Sequence, residues 1–197
     1  MKSRILAGFV LSATLGCGLV TANVAVAEAQ YYWDPDRNGN PIGQLFRHES
    51  SPIARTMVNF SGPFRPGTIV VNTSERRLYL VTAPGQALRY GIGVGRIGFT
   101  WSGTRSVSMK KEWPDWTPPS QMLRRRPDLP RHMVGGIDNP LGARAIYLGS
   151  SLYRIHGSNE PETIGQAVSS GCFRMTNEDV VDLYDRVQVG AKVVVLH

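Results

Sequence analysis

The chain has 197 residues, of which 42% are hydrophobic and 19% are charged, and its formal net charge is +7. This length suits one domain with a short extension and allows a hydrophobic core of ordinary size. No nucleic-acid-binding motif accompanies the positive charge, so the chain is not expected to bind nucleic acid. The charge suits anionic envelope polymers or a membrane surface, and it equally suits a protein that only needs to be soluble.

The N-terminus has the pattern of a secretory signal peptide. Lys2 and Arg4 form a basic start, residues 5–20 are mostly apolar, and the small residues at 25–27 form a cleavage site. We therefore predict a signal peptide over 1–27 and export of the mature chain. A retained membrane anchor is the alternative, although polar residues and glycines dilute the apolar run.

Cleavage would leave one cysteine, because Cys17 is lost and Cys172 remains. A lipoprotein modification of Cys17 is less favoured, since apolar residues continue beyond it. A lone thiol in an oxidising compartment cannot form an intramolecular disulfide, which indicates a reactive thiol or an intermolecular bridge. Zinc needs more ligands at set spacing than occur near Cys172, so neither a metal site nor a cofactor is predicted.

Residues 28–66 are polar and interrupted by Pro and Gly, which predicts a flexible N-terminal arm and not a second domain. The apolar piece at 57–60 is expected to pack on the main domain, which we place at 67–197. β-Branched and alternating runs then predict a β-meander of three strands. These strands are expected at 68–72, 77–82 and 87–94.

Aromatic and basic residues follow a further strand predicted over 105–113. Trp113 and Trp116 lie among three prolines, which suits either a rigid wall for a substrate groove or a cap packed on the sheet. The arginines at 124–126 form either a solvated loop or a basic rim that meets substrate carboxylates. A short strand is predicted at 145–148.

The strongest helix signal begins at Thr176, a candidate N-cap that is followed by acidic residues in the first turn. Gly190 is the candidate C-cap. Apolar residues recur at helical spacing at Val180, Leu183, Tyr184 and Val187. A closing strand is predicted over 192–196, so the fold class is mainly β with one or two helices.

The segment from 153 to 175 carries the residues suited to chemistry. His156 is followed by Gly157, and Cys172 is preceded by Gly171. A thiol beside an imidazole can pass on its proton and act as a nucleophile. A glycine beside the sulfur lets a substrate carbonyl approach backbone N–H groups. The alternative is a buried apolar cysteine and a structural histidine, because each residue alone is a weak signal.

Together these motifs resemble those of the YkuD-type L,D-transpeptidases (ErfK/YbiS/YcfS/YnhG-like). That family has His-Gly, a gap, and then Ser-His-Gly-Cys followed by an apolar residue and Arg or Asn. This chain has His156-Gly157 and then Ser-Ser-Gly-Cys-Phe-Arg at 169–174, with Ser170 in place of the second His. The resemblance runs from about residue 67 to the C-terminus. It implies a β-sandwich-like catalytic domain with the Cys and His in a groove.

The resemblance implies a cysteine acyltransferase in which Cys172 attacks a substrate carbonyl and His156 acts as general base and then acid. The Gly157 carbonyl would hold the imidazole tautomer, and the N–H groups of Gly171 and Cys172 would form the oxyanion hole. Arg174 would either hold a substrate carboxylate or brace the loop. The other expected substrate contacts are Ser169, Ser170, Trp113 and Trp116.

By the same resemblance, the donor is a peptidoglycan tetrapeptide stem in the periplasm or cell envelope, and its terminal D-alanine leaves. A second stem as acceptor would give a 3→3 cross-link, whereas a protein acceptor, such as an outer-membrane protein, would become anchored to the wall. Water as acceptor would make the enzyme an L,D-carboxypeptidase. Acylation by carbapenems is also implied. The rival interpretations are a non-catalytic peptidoglycan-binding module and a thiol peptidase of another fold.

Overall fold

Strands dominate residues 51–197, the part of the chain that the computed structural model describes. The strands in this part are β1 (Thr56–Asn59), β2 (Ile69–Asn72), β3 (Arg77–Ala83), β4 (Gln86–Gly91), β5 (Val94–Gly95), β6 (Gly103–Glu112), β7 (Arg144–Leu148), β8 (Arg154–His156), β9 (Ala167–Ser169), β10 (Phe173–Arg174) and β11 (Lys192–Leu196). The helices are α1 (Ser120–Arg125) and α2 (Asn177–Arg186), and Pro161–Thr163 forms a 3₁₀ turn. The mainly β class with two helices is thus confirmed.

The predicted signal peptide over 1–27 and Cys17 lie outside the described residues. Within residues 51–197, no helix combines the length and apolar character needed to span a bilayer. Residues 28–66 were predicted to form a flexible arm. Within this range, however, Thr56–Asn59 forms β1, which pairs antiparallel with β4 and so belongs to the main sheet. Phe60 then stacks on Tyr79 of β3, with ring centroids 4.6 Å apart. This segment therefore covers part of the outer face of the meander.

Nine of the described strands share one hydrogen-bonded order, β1-β4-β3-β2-β11-β6-β7-β8-β10, and β5 pairs with β9. β6 belongs to both halves of this sheet: its residues 103–106 pair with β11, and its residues 107–112 pair with β7. The register shifts between Val107 and Met109, and a bulge of this kind bends a strand. Side chains from both halves share one buried core. The two halves therefore pack face to face, as in a sandwich.

The predicted β-meander is present as β2, β3 and β4. Antiparallel pairing sets Ile69 opposite Leu80, and both side chains lie in the core. β4 ends at Gly91, before the predicted end at residue 94. The chain next runs against other backbone, since a Cβ added at Gly93 would lie 2.9 Å from the Thr163 carbonyl oxygen. Close approach of this kind requires glycine and interrupts the strand.

α2 begins as the sequence predicts, because the Thr176 side chain accepts a hydrogen bond from the Asp179 N–H over 3.2 Å. Val180 and Leu183 of its apolar stripe are fully buried. The helix ends earlier than predicted. Val187 is the C-cap, with extended φ and ψ of −100° and 138°. Gly190 is not a helix cap and instead turns the chain into β11 with φ of 92°.

Candidate active site

Two parallel strands carry the His-Gly and Gly-Cys motifs to the same place. β8 ends at His156, β10 begins directly after Cys172, and Arg174 lies opposite His156 in their register. The Met175 N–H extends the pairing by donating to the His156 carbonyl over 2.8 Å. Parallel neighbours require a crossover connection, which is why two motifs distant in the chain meet here.

His156 is held as a neutral imidazole. Its side chain is buried, and Nδ1 lies 2.5 Å from the Gly157 carbonyl oxygen. A carbonyl oxygen can only accept, so Nδ1 carries the proton and Nε2 keeps a free lone pair. Burial lowers the pKa of His156 to about 3; the hydrogen bond to Gly157 opposes this shift, whereas the charges of Arg174 and Arg154 add to it. The ring therefore presents Nε2 as a proton acceptor.

Cys172 is the free cysteine among the described residues, and it is half-buried. Its Sγ lies 3.7 Å from the Leu152 carbonyl oxygen. Burial raises the pKa of the Cys172 thiol, while the positive charge of Arg154 acts in the opposite direction. The resting pair is therefore a neutral thiol and a neutral imidazole. It is not a thiolate–imidazolium ion pair.

Ser169 holds the turn that presents the thiol. Its hydroxyl donates to the Cys172 carbonyl over 2.6 Å and accepts from the Gly171 N–H over 3.1 Å. The residue is buried, so its hydroxyl acts within the turn, whereas the sequence suggested a substrate contact. The Gly171 N–H was expected to form part of an oxyanion hole, but in the structure it donates to the Ser169 hydroxyl. These two bonds fix the turn from residue 169 to residue 172.

Gly171 is required by crowding as well as by backbone conformation. Its φ is 107°, and an added Cβ would lie 2.6 Å from Cε1 of Tyr153 and 3.1 Å from the Phe99 carbonyl oxygen. We expect Gly171→Ala to lower the free energy of unfolding by about 2–4 kcal/mol, because strain and overpacking add. We also expect it to slow acylation of Cys172, since the turn must shift. Urea unfolding and the acylation rate measure the two effects.

Gly85→Ala is the control for this substitution. Gly85 also has a positive φ, of 77°, but nothing lies within 4 Å of an added Cβ. We expect it to cost about 1 kcal/mol from backbone strain alone and to leave acylation unchanged. Equal losses of stability in the two variants would contradict the role given to Tyr153 and Phe99.

Trp101 was missed by the sequence analysis, yet it contacts the same turn. Its Nε1–H donates to the Gly171 carbonyl over 2.9 Å, and its ring stacks on Tyr153 with centroids 4.6 Å apart and an interplanar angle of 13°. A tryptophan within a run of glycine, serine and threonine was the available signal, because such a ring needs a packing partner. Trp101 and Tyr153 together form one wall beside the thiol turn.

Arg174 braces the neighbouring loop. Its guanidinium donates to the Glu160 carboxylate and, over 3.4 Å, to the Thr163 hydroxyl, at the 3₁₀ turn. Of the two roles left open by the sequence, the structure provides bracing. Ser170, the departure from the family pattern, is half-buried in the turn next to Cys172. Among residues 51–197, no group of three or more His, Cys, Asp or Glu side chains is placed to hold a metal ion.

The sequence model of the YkuD family, an L,D-transpeptidase catalytic domain, matches residues 66–195. The chain belongs to the YkuD family. It is 40% identical over 137 residues to the probable L,D-transpeptidase ErfK/SrfK of Escherichia coli strain K12. That match covers 65% of this chain and 43% of the relative, so the chain spans less than half the length of ErfK/SrfK.

Two solved structures support the fold of this YkuD-family chain. The L,D-transpeptidase from Mycobacterium smegmatis is 18% identical, with a TM-score of 0.53 over 74% of this chain and 69% of that chain. A crystal structure from Brucella melitensis, described as a probable carnitine operon oxidoreductase, is 46% identical, with a TM-score of 0.51 over 75% of this chain and 96% of that chain. The oxidoreductase description applies to the Brucella protein, whereas membership of this chain in the YkuD family is shown by the family model that matches residues 66–195.

The two tryptophans predicted as groove walls lie in the segment that precedes β7. The Trp113 N–H donates to the Ala143 carbonyl over 2.8 Å, and Trp116 forms an antiparallel bridge with Met133. Both rings are half-buried. Within residues 51–197, no hydrogen bond joins either residue to His156 or to the cysteine. Their contact with substrate therefore stays a prediction.

Two of the three arginines at 124–126 make different contacts in this YkuD-family chain. Arg126 pairs with Asp128 over 2.6 Å at the surface. Arg125 lies over the Phe99 ring, 5.2 Å from its centroid, and Arg96 lies 4.4 Å from the same centroid. Phe99 is also the residue whose carbonyl oxygen crowds the thiol turn. Arg125 therefore connects the segment that follows Trp116 to the edge of the candidate site.

Proposed function

We propose that this chain is an exported cysteine L,D-transpeptidase that acts on peptidoglycan tetrapeptide stems. One observation carries the proposal: the Nδ1–H of His156 is committed to the Gly157 carbonyl, so the free Nε2 lone pair is available beside the strand that follows Cys172. Family membership supplies the reaction class, and the lone described thiol supplies the nucleophile. We place the mature enzyme in the periplasm or cell envelope.

The reaction begins with both groups neutral. Cys172 Sγ attacks the carbonyl carbon that joins the third-position diamino acid to D-alanine, and the thiol proton passes to Nε2 of His156. Collapse of the tetrahedral intermediate breaks the C–N bond, and the imidazolium returns the proton to the D-alanine amine as it leaves. The product is a thioester. An acceptor amine then attacks it, loses a proton to the imidazole and releases the thiol.

The negative charge on the attacked oxygen needs hydrogen-bond donors. The Gly171 N–H already donates to Ser169, which leaves the Cys172 N–H as the backbone donor of this pair. Ser169 acts in this scheme by holding the turn, so that the Cys172 N–H and Sγ face the same carbonyl. The positive charge of Arg154 lowers the pKa of both the Cys172 thiol and His156, so it favours the thiolate and disfavours the imidazolium.

The test is mass spectrometry of purified muropeptides incubated with mature protein. The proposal expects an intermediate in which the tripeptide acyl group is attached to Cys172, and then a product that joins two stems. A tripeptide alone at high acceptor concentration would indicate a carboxypeptidase, or an enzyme that requires a protein acceptor such as an outer-membrane protein. Recovery of unchanged muropeptides with tight binding would instead favour the non-catalytic binding module.

We propose that residues 117–132 make the enzyme prefer transfer over hydrolysis. This segment contains α1, and we call it the cover loop. Trp116 and Met133 flank the cover loop and exchange two backbone hydrogen bonds of 2.8 Å. A narrow pair of this kind can be joined by a two-residue turn, so replacement of the cover loop by Asn-Gly preserves the base of the segment. We expect the replacement to raise the ratio of tripeptide to cross-linked product, because water reaches the thioester more easily.

Arg126→Ala is the control for the cover loop, because among residues 51–197 the Arg126 side chain pairs only with Asp128, which lies in the cover loop itself. The variant should keep the product ratio of the parent protein. The acyl-enzyme on Cys172 should still form in the loop replacement, since the thiol turn is held by other contacts. An unchanged product ratio in the loop replacement would overturn the role of the cover loop.

A further inference from the structure

Asn177, the first residue of α2, uses both ends of its side-chain amide. Oδ1 accepts from the Ala143 N–H over 2.8 Å, and Nδ2 donates to the Ser158 carbonyl over 3.2 Å. The residue is 3% exposed. Thr176 caps the helix, so the Asn177 side chain is not needed for that purpose. Its bonds point away from the helix, to the two backbone segments that enclose the His-Gly motif.

The same amide explains why the motif contains glycine. A Cβ added at Gly157 would overlap Oδ1 of Asn177, and a Cβ added at Gly142 would overlap the same oxygen. Asn177 therefore lies directly against the Gly157 backbone. No side chain larger than hydrogen fits at residue 157 while the Asn177 amide keeps its place.

Gly157 is held from both sides. Its own N–H donates to the Arg144 carbonyl over 3.0 Å, and the carbonyl of the next residue, Ser158, accepts from Asn177. The Gly157 carbonyl is the group that accepts from Nδ1 of His156. The direction of that carbonyl is therefore set by a peptide segment that Asn177 clamps.

We propose that Asn177 is a positioning residue that holds the Gly157 carbonyl toward His156 and thereby keeps the imidazole in its Nδ1–H tautomer. Its consequence for catalysis rests on the proposed function, in which Nε2 must be free to accept the thiol proton. The Asn177 amide itself does not touch the reacting atoms. It acts through Ser158 and Gly157 on the orientation and tautomer of the ring.

The test combines ¹⁵N NMR of histidine-labelled mature protein with the rate of Cys172 acylation by a carbapenem. The ring signals of His156 are assigned by their absence in His156→Ala. In the parent protein we expect a protonated Nδ1 and an unprotonated Nε2. In Asn177→Ala we expect the two signals to move toward values averaged over both tautomers. We expect acylation to slow by about 100-fold, the loss typical of a small misplacement of a reacting group.

Asn177→Asp keeps the shape and the acceptor for the Ala143 N–H, but it cannot donate to the Ser158 carbonyl. This variant should fold, and its His156 ring signals and acylation rate should change in the same direction as in Asn177→Ala. If Asn177→Ala does not fold, Asn177→Asp alone tests the proposal. Thr73→Val is the control, because it removes a buried hydroxyl that donates to the Leu196 carbonyl over 3.0 Å. That variant should lose stability and leave the His156 signals and the acylation rate unchanged.

The proposal is overturned if both Asn177 variants keep the parent tautomer signals and acylate at a rate within about twofold of that of Thr73→Val. The NMR result does not depend on turnover. If the parent protein forms no acyl-enzyme, the proposed function fails, while the ring signals still report whether Asn177 positions His156.

Discussion

Replacement of Cys172 by alanine is expected to abolish the acyl-enzyme and to lower turnover of muropeptides by about 10⁴-fold or more, as removal of a covalent nucleophile does in other acyltransferring enzymes. The thiol is half-buried and its sulfur contacts only a backbone carbonyl among the described hydrogen bonds, so the loss is chemical and not structural. Intact-protein mass spectrometry measures it. The parent protein should gain one carbapenem adduct, located at Cys172, and the variant should gain none.

Cys172→Ser separates chemistry from packing. The hydroxyl nearly preserves the size of the thiol but is far less acidic, so the serine variant should fold like the parent protein and remain without measurable adduct. Retained turnover in the alanine variant, or an adduct located at another residue, would remove Cys172 from the mechanism.

His156→Ala is expected to slow acylation by about 10²- to 10⁴-fold, the range for loss of a general base. Burial lowers the pKa of His156 and raises the pKa of the Cys172 thiol, so the parent pair reacts from its neutral form. Without the imidazole, the reaction depends on the fraction of Cys172 that has already lost its thiol proton to solvent. Below the raised thiol pKa, the thiolate fraction grows about tenfold per pH unit, and residual acylation of the variant should rise at that rate.

The dependence of carbapenem acylation on pH, measured for both proteins, checks this prediction. The parent protein should show a shallower rise, because His156 takes up the proton during the attack. His132→Ala is the control, since His132 is exposed and lies near Asp115, where its Nε2 is 3.7 Å from the carboxylate. Parallel pH profiles for the parent and His156→Ala would argue against proton transfer to the imidazole.

Local signals in the sequence were sufficient for most of the sheet and for α2. β-Branched residues predicted β2, and Thr176 with the acidic residues that follow it predicted the start of α2. These features depend on neighbours within a few residues, so they can be inferred without the fold. The ends of these elements were harder to predict, because they depend on distant parts of the chain. Val187 is buried in the core, and a Cβ added at Gly91 would lie 2.6 Å from Cβ of Ile53.

The sequence by itself also predicted which two residues form the reactive pair. His156-Gly157 and Gly171-Cys172 combine residue types whose chemistry is specific, and Cys172 would be the one thiol left if the predicted signal peptide is cleaved. What no local pattern contains is the set of hydrogen bonds around them. Only the tertiary structure assigned Arg174 to bracing and committed the Gly171 N–H to Ser169.

These hydrogen bonds could not be predicted from the sequence because they join segments that only the connection between parallel strands brings together. Parallel pairing of β8 with β10 brings together segments separated by a turn and a short strand, and the register of that pair decides which groups face one another. Trp101 and Asn177 reach the motif from outside it, one through the Gly171 carbonyl and one through the Ser158 carbonyl. Their roles follow from contacts across the fold, whereas the identities of Cys172 and His156 follow from the chemistry of the residues themselves.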